Sequence, residues 1–140
     1  MSPAKTYNLF LSHSWANGDD YDRLINLLNQ RPYFIYKDYS VPKGDPIHDA
    51  PTSRALYDAI KRHMTPCHVI VIMAGVYATY STWIQNEIKI AKNEFNNPKP
   101  IVAVKPFANV NVSRVVSDAA DRSVAWNTES VVSAIREVSI

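Results

Sequence analysis

The chain predicts an α/β domain: a five-stranded parallel sheet covered by helices on both faces. Two observations carry that expectation. Short β-prone runs alternate with stretches of helical spacing from one end to the other. One of those runs, "PCHVIVIMAG", is apolar almost without a break, as a central parallel strand enclosed on both sides must be. The length of 140 residues suits one domain, 1–140, with one sizeable core. No internal repeat, low-complexity tract or linker interrupts it.

The elements follow in order. "TYNLFLSHSW" alternates Tyr7, Leu9 and Leu11 with Asn8 and Phe10, a strand ending near Ser12. "NGDDYDRLINLLNQ" places Tyr21, Leu24, Ile25 and Leu28 on one helical stripe, with Asp19, Asp20 and Asp22 at the positive end of the dipole. "PYFIYKD" is aromatic and β-branched, a second strand whose start Pro32 restricts. "DYSVPKGDPIHDAPT", Asp38 to Thr52, holds three prolines and a glycine and excludes both helix and strand. Loops of that length inside a small domain are usually functional. "SRALYDAIKRHM" resumes helical spacing through Leu56, Ile60 and Met64. The third strand, "PCHVIVIMAG", leads to "YSTWIQNEI", where Thr82 and Gln85 form a capping-box signature. In the helix it opens, Ile84, Ile88, Ala91 and Phe95 are expected to face the core. "KPIVAVKPF" is a fourth strand stopped by Pro106, and "ANVNVSRVVSDAADR" leaves room for one short helix. "SVAW" reads as a short fifth strand at an edge. "NTESVVSAIREV" closes as a helix, capped by Asn127, with Val131, Val132, Ile135 and Val138 inward. Five strands so connected favour the order 2-1-3-4-5, the flavodoxin-like three-layer arrangement, whose ligands bind beyond the carboxyl ends of strands 1 and 3.

Composition removes several function classes. The chain is 46% hydrophobic and 20% charged, as folded soluble domains are. Its 15 basic and 13 acidic residues are dispersed, so the footprint of a nucleic-acid binder is missing. The apolar run Val69 to Ala74 is too short to span a bilayer, and "MSPAKTYN" has no apolar signal region; the expected location is cytoplasmic, without membrane contact. The single cysteine, Cys67, reads as a small buried hydrophobe. The histidines do not cluster with metal-ligand spacing, so no metal is expected. No G-x-G-x-x-G follows the first strand, and neither a G-x-S-x-G elbow nor a P-loop occurs. A phosphoacceptor domain of this fold needs an acidic pair after strand 1 and an Asp after strand 3; Ser12–His13 and Ala74–Gly75 stand there instead.

The residues brought to the carboxyl edge are Ser12, His13, Ser14 and Trp15 from strand 1, Asp38, Tyr39, Lys43 and Asp45 from strand 2, and the helix bearing Trp83 and Glu87 after strand 3. Four residues of helix turn about 400°, so Trp83 and Glu87 lie almost on one line. Glu87 stands about 100° round from Ile88, at the border of the expected core stripe, where a carboxylate would be half-desolvated. On geometry alone the solvated helix residue is the favoured reading. Trp15 reads as a shield for the first helix or as a substrate contact, Tyr39 as an interface anchor or a ligand contact, and His13 as a surface or capping residue.

The ordered combination of "KTYNLFLSHSW", "YKDYSVPKGDPIH" and W-x-x-x-E resembles a TIR domain. More narrowly it resembles the TIR-like subfamily of the Thoeris bacterial anti-phage system, over residues 5 to 105. The resemblance implies cleavage of the nicotinamide–ribose bond of NAD, and cyclisation to a cyclic ADP-ribose-type second messenger. NAD is then the substrate, and no cofactor is implied. Glu87 would be the catalytic glutamate, with Trp83 stacking on nicotinamide. Phe10, Ser12, Ser14, Trp15, Asp38, Tyr39 and Lys43 would complete the substrate site. The stretch with Tyr39, Pro42, Lys43 and Pro46 matches the family's BB loop. Implied partners are further copies of the chain, a messenger-gated effector downstream, and a phage protein as trigger. Ser14–Trp15 depart from the Arg or Gly of many plant and animal TIR domains, so substrate contacts from those branches are not carried over. A second reading, a non-catalytic TIR-like adaptor acting by self-association, stays open.

Overall fold

The computed structural model describes residues 6–12, 20–32, 34–39, 53–74, 82–105 and 114–139. Within them the chain runs β1 (Thr6–Ser12), α1 (Asp20–Asn29), β2 (Ile35–Asp38), α2 (Ser53–Met64), β3 (Val69–Met73), α3 (Thr82–Asn93), β4 (Ile101–Val104), α4 (Arg114–Ala119), β5 (Arg122–Val124) and α5 (Thr128–Val138). All strands are parallel, in the order β2-β1-β3-β4-β5, as the alternation of elements predicts. β1 lies inside the sheet, with Leu9 opposite Asp38 on one side and Val69 on the other.

Both sheet faces are buried, and strand alternation divides the core into two layers. Leu9, Leu11, Val69, Val71 and Met73 pack under α1 and α5 with Leu24, Leu28, Val131 and Ile135. Phe10, Ile70 and Ile72 pack on the opposite face with Ile60 and Met64 of α2, Ile84 and Ala91 of α3, and Val116 of α4. That is why β3 shows no polar alternation: all five of its residues are buried.

Local chemistry explains several boundaries. The Asn127 side chain caps α5, accepting from the Ser130 amide at 2.8 Å, as the sequence predicts. α2 ends with Lys61, Arg62 and His63, cations at the negative end of its dipole. β5 is shifted from the expected "SVAW". It begins at Arg122, and the Lys105 amide makes its last inter-strand bond to Val124. The Ala125 carbonyl then accepts from the Asn127 amide, which turns the chain into the cap of α5, and Trp126 packs on the α1/α5 layer instead. One short helix, α4, does occur in "ANVNVSRVVSDAADR". Most of the long proline-bearing stretch, residues 40–52, lies outside the described residues.

Candidate functional site

β1 and β3 end at Ser12 and Met73, at one edge of the sheet, whereas β2 stops short of it: its last residue, Asp38, lies opposite Leu9, which itself faces Val69 at the start of β3, so Asp38 is not brought level with Ser12 as the sequence suggests. From β1 the chain crosses to β2 through α1 on one face. From β3 it crosses to β4 through α3 on the other. The edge between β1 and β3 is therefore the switch point at which such sheets hold ligands.

Among the described residues three polar or charged side chains are buried: Ser12 at 2% exposure, Glu87 at 1% and Lys99 at 8%. Lys99 lies at the amino edge and is fully accommodated. Its ammonium donates to the Thr65 and Cys67 carbonyls at 2.9 Å each and sits 4.8 Å from the centre of the Phe95 ring. Ser12 lies at the carboxyl end of β1 and Glu87 midway along α3. Ser12 is two residues beyond Phe10 and shares its sheet face, under α2 and α3. Its hydroxyl has no hydrogen-bond partner among the described residues. Glu87 is the sixth residue of α3, about 7 Å along the axis from the start of the helix.

The depth of Glu87 corrects the sequence expectation. A border position, half-desolvated, was expected; the residue is instead inside the buried arc. Ile84 and Ile90, three residues to either side, are both 0% exposed, whereas Ile88 and Phe95 are only partly buried. The physical reason is that α3 is flanked by α2 and by α4 as well as backed by the sheet, so its covered arc is wider and rotated relative to one set by Ile84, Ile88 and Phe95. A carboxylate in such a layer is weakly screened, and its field acts strongly on any nearby positive charge.

The remaining expected site residues separate into three groups. Phe10 is 1% exposed and forms part of the α2/α3-side core. Asp38 is exposed at the end of β2. Tyr39, the next residue, is half-buried against the same core as Phe10, and its amide donates to the Leu9 carbonyl at 2.9 Å. Ser14, Trp15, Lys43 and Asp45 lie outside the described residues, as do His13, Pro42 and Pro46. Trp83 lies in α3 one turn before Glu87, but its side chain and that of Thr82 are outside the description.

One neighbour of this group was not foreseen from sequence. His63, in the last turn of α2, places Nδ1 3.1 Å from the Tyr39 carbonyl. A bond spanning 24 residues between a helix and a strand end leaves no signal in the local pattern.

Elsewhere the polar groups serve one another. An open groove of about 440 Å³ is lined by Arg54, Tyr57, Lys89 and Glu94. Tyr57 donates to one Glu94 oxygen at 2.7 Å and Lys61 to the other at 3.2 Å. Those bonds hold the Glu94 carboxyl below its ordinary range, while partial burial and the same bond raise the Tyr57 phenol. Cys67 is free and buried, and burial pushes its thiol up to about 12. No group of His, Cys, Asp and Glu among the described residues is arranged to hold a metal. No helix among them is long and apolar enough to cross a membrane.

Comparison with protein families finds a match over residues 10–111 to the family described as "Thoeris protein ThsB, TIR-like domain". The matched region runs from the middle of β1 past the end of β4 and includes both Ser12 and Glu87. Comparison with curated proteins gives no match.

Proposed function

The chain belongs to the family of TIR-like domains of the Thoeris protein ThsB, and we propose that it cleaves the nicotinamide–ribose bond of NAD and cyclises the product. The observation that supports this reading is the burial of two polar side chains on the same side of the sheet, Ser12 at the carboxyl end of β1 and Glu87 midway along α3. Glu87 is carried by the buried face of α3, whose Ile84, Ile90 and Ala91 belong to that core, and a carboxylate at such a depth acts strongly on positive charge developing near it.

The chemistry makes modest demands. The C–N bond between ribose C1′ and the pyridinium nitrogen breaks, its electron pair leaves with nicotinamide, and nicotinamide departs neutral, so no general acid is needed. Positive charge develops at C1′ and the ring oxygen. Glu87 is the anion that stabilises this charge and orients the ribose hydroxyls. Trp83 supplies the aromatic plane against nicotinamide, and Ser12 a hydroxyl to the sugar. Phe10 supports Ser12 from within the core. Ser14, Trp15, Asp38, Tyr39 and Lys43 form the remaining walls of the substrate site. An adenine or ribose atom of the same molecule then attacks C1′ and releases a proton, giving a cyclic ADP-ribose-type messenger when water is kept away. In this reading the chain acts in the cytoplasm, assembles with its own copies, responds to a phage protein and signals to a messenger-gated effector.

The test is nicotinamide release from NAD, followed by chromatography, in purified protein and in lysates of phage-infected cells. Glu87→Gln preserves shape and removes the charge. It should lower release by about 100-fold or more while leaving the melting temperature within a few degrees. Undiminished release in the variant, or none from the parent in either setting, would overturn the proposal. Intact phage protection by Glu87→Gln would favour the adaptor reading instead.

A further inference from the structure

We infer that Asn8 and His68 form an acid-sensitive clasp closing the pairing of β1 with β3 at its amino end. The two strands run in register from Leu9 opposite Val69 onward, and just before that point the His68 amide donates to the Asn8 carbonyl at 2.7 Å. Beyond it side chains take over. The Asn8 amide donates to His68 Nδ1 at 3.0 Å, and the Asn8 side-chain nitrogen donates to the Pro66 carbonyl at 2.9 Å. Each side chain thus satisfies a backbone group of the other segment where the chain arrives from α2, and both residues are half-buried. The clasp stands apart from the cleavage reading and does not depend on it.

The bond to the ring fixes its protonation. A backbone N–H only donates, so Nδ1 presents its lone pair; the neutral ring then carries its hydrogen on Nε2. A proton added at Nδ1 sets a second donor against the Asn8 amide, and the bond is lost. The charged groups recorded around this segment act unequally. From β4's side, the Lys99 ammonium donates to the Thr65 and Cys67 carbonyls, the latter in the peptide that leads into His68, and opposes a further positive charge. Asp38 of β2, whose charge reaches Cys67, favours one. The Cys67 thiol, raised to about 12, is neutral throughout mild acid. His63 of α2, whose carbonyl accepts from that thiol, is the second imidazole on this side. The lost bond and the Lys99 charge act together against protonation. An unfolded histidine titrates near about pH 6.5, so below that value the opened clasp binds a proton that the closed one refuses. The clasp's contribution is therefore complete above about pH 7 and is lost as pH falls.

The experiment compares the parent with His68→Asn and His68→Leu. In His68→Asn, Oδ1 stands nearly where Nδ1 stood and accepts without titrating; His68→Leu removes the acceptor. The readout is hydrogen exchange of the Asn8 amide by NMR at pH 7.5 and pH 5.5, corrected for the intrinsic dependence of exchange on pH. In the parent, protection should fall about tenfold between the two, the factor set by one pH unit below an ordinary histidine. In His68→Asn it should be the same at both. In His68→Leu the amide should exchange about tenfold faster than the parent at pH 7.5, with no further loss at pH 5.5. Nitrogen-15 spectra of the parent ring at pH 7.5 should show hydrogen on Nε2 and none on Nδ1. Hydrogen on Nδ1 overturns the inference, as does parent protection that does not change with pH, or a fall equally steep in His68→Asn. If His68→Leu does not fold, the parent and His68→Asn decide the matter between them.

Discussion

At the scale of single residues, the Ser12 hydroxyl is the least expected feature. It is 2% exposed and without a hydrogen-bond partner among the described residues, in a strand where every other buried side chain is apolar. A buried hydroxyl left unpaired costs folding about 1–3 kcal/mol, and its removal is therefore close to harmless for the fold. Ser12→Ala should leave stability unchanged or raise it by up to about 1 kcal/mol in a urea titration, while weakening NAD turnover. A clear loss of stability in the variant would show that the hydroxyl has a structural partner. The residue itself was legible as a candidate because strand 1 ends there. Its isolation was not, since that depends on which groups the other strands and helices bring to it. Glu87 shows the same division. Its place one turn after Trp83 can be read from the chain, but its depth cannot.

At the scale of elements, helix ends were more legible than helix faces. Asn127 was identifiable as a cap because its side chain satisfies an amide only three residues away, at Ser130. Asn127→Ala should lower stability by about 1 kcal/mol and the melting temperature by a few degrees, whereas Ser133→Ala, on the exposed side of α5, should change either very little. Equal effects of the two would contradict the capping role. The face of α3 was harder. Ile84 and Ala91 face inward as the spacing predicts, but Glu87 and Ile90 replace Ile88 and Phe95 as the deeply buried neighbours. The apolar period marks the middle of a helix's covered arc; its width is set by the helices on either side. β5 shifted for a related reason, because the start of the Asn127 cap limits how far the strand can run.

At the scale of the whole molecule, alkaline stability joins the amino-edge groups. The Cys67 thiol is raised by burial from 9.0 to about 12, so the folded chain keeps its proton where the unfolded chain loses it. Its contribution is complete below about pH 9 and is lost as pH rises towards 12. Lys99, which donates to the Cys67 carbonyl, works in the opposite sense. Desolvation lowers its ammonium below 10.5, so in the window under that value the folded chain holds fewer protons and stability rises with pH. Cys67→Ala isolates the thiol. Measured by urea midpoint, the variant should lose less stability than the parent between pH 8.5 and pH 11, on top of a small constant deficit from the lost sulfur. In the folded parent the thiol should resist alkylation and react only after denaturation. Identical pH slopes in the two chains would contradict this linkage.

By itself the sequence determined the class, the order of elements and the sheet order, because the helical and strand periods are local and because parallel crossovers are restricted in hand. It also marked where β1 ends, at Ser12. Only the tertiary structure decided how deep Glu87 lies, that the Ser12 hydroxyl is enclosed, and that His63 meets the Tyr39 carbonyl. Burial and long-range hydrogen bonds are properties of neighbours, and neighbours distant along the chain exist only once the layers have closed around the sheet.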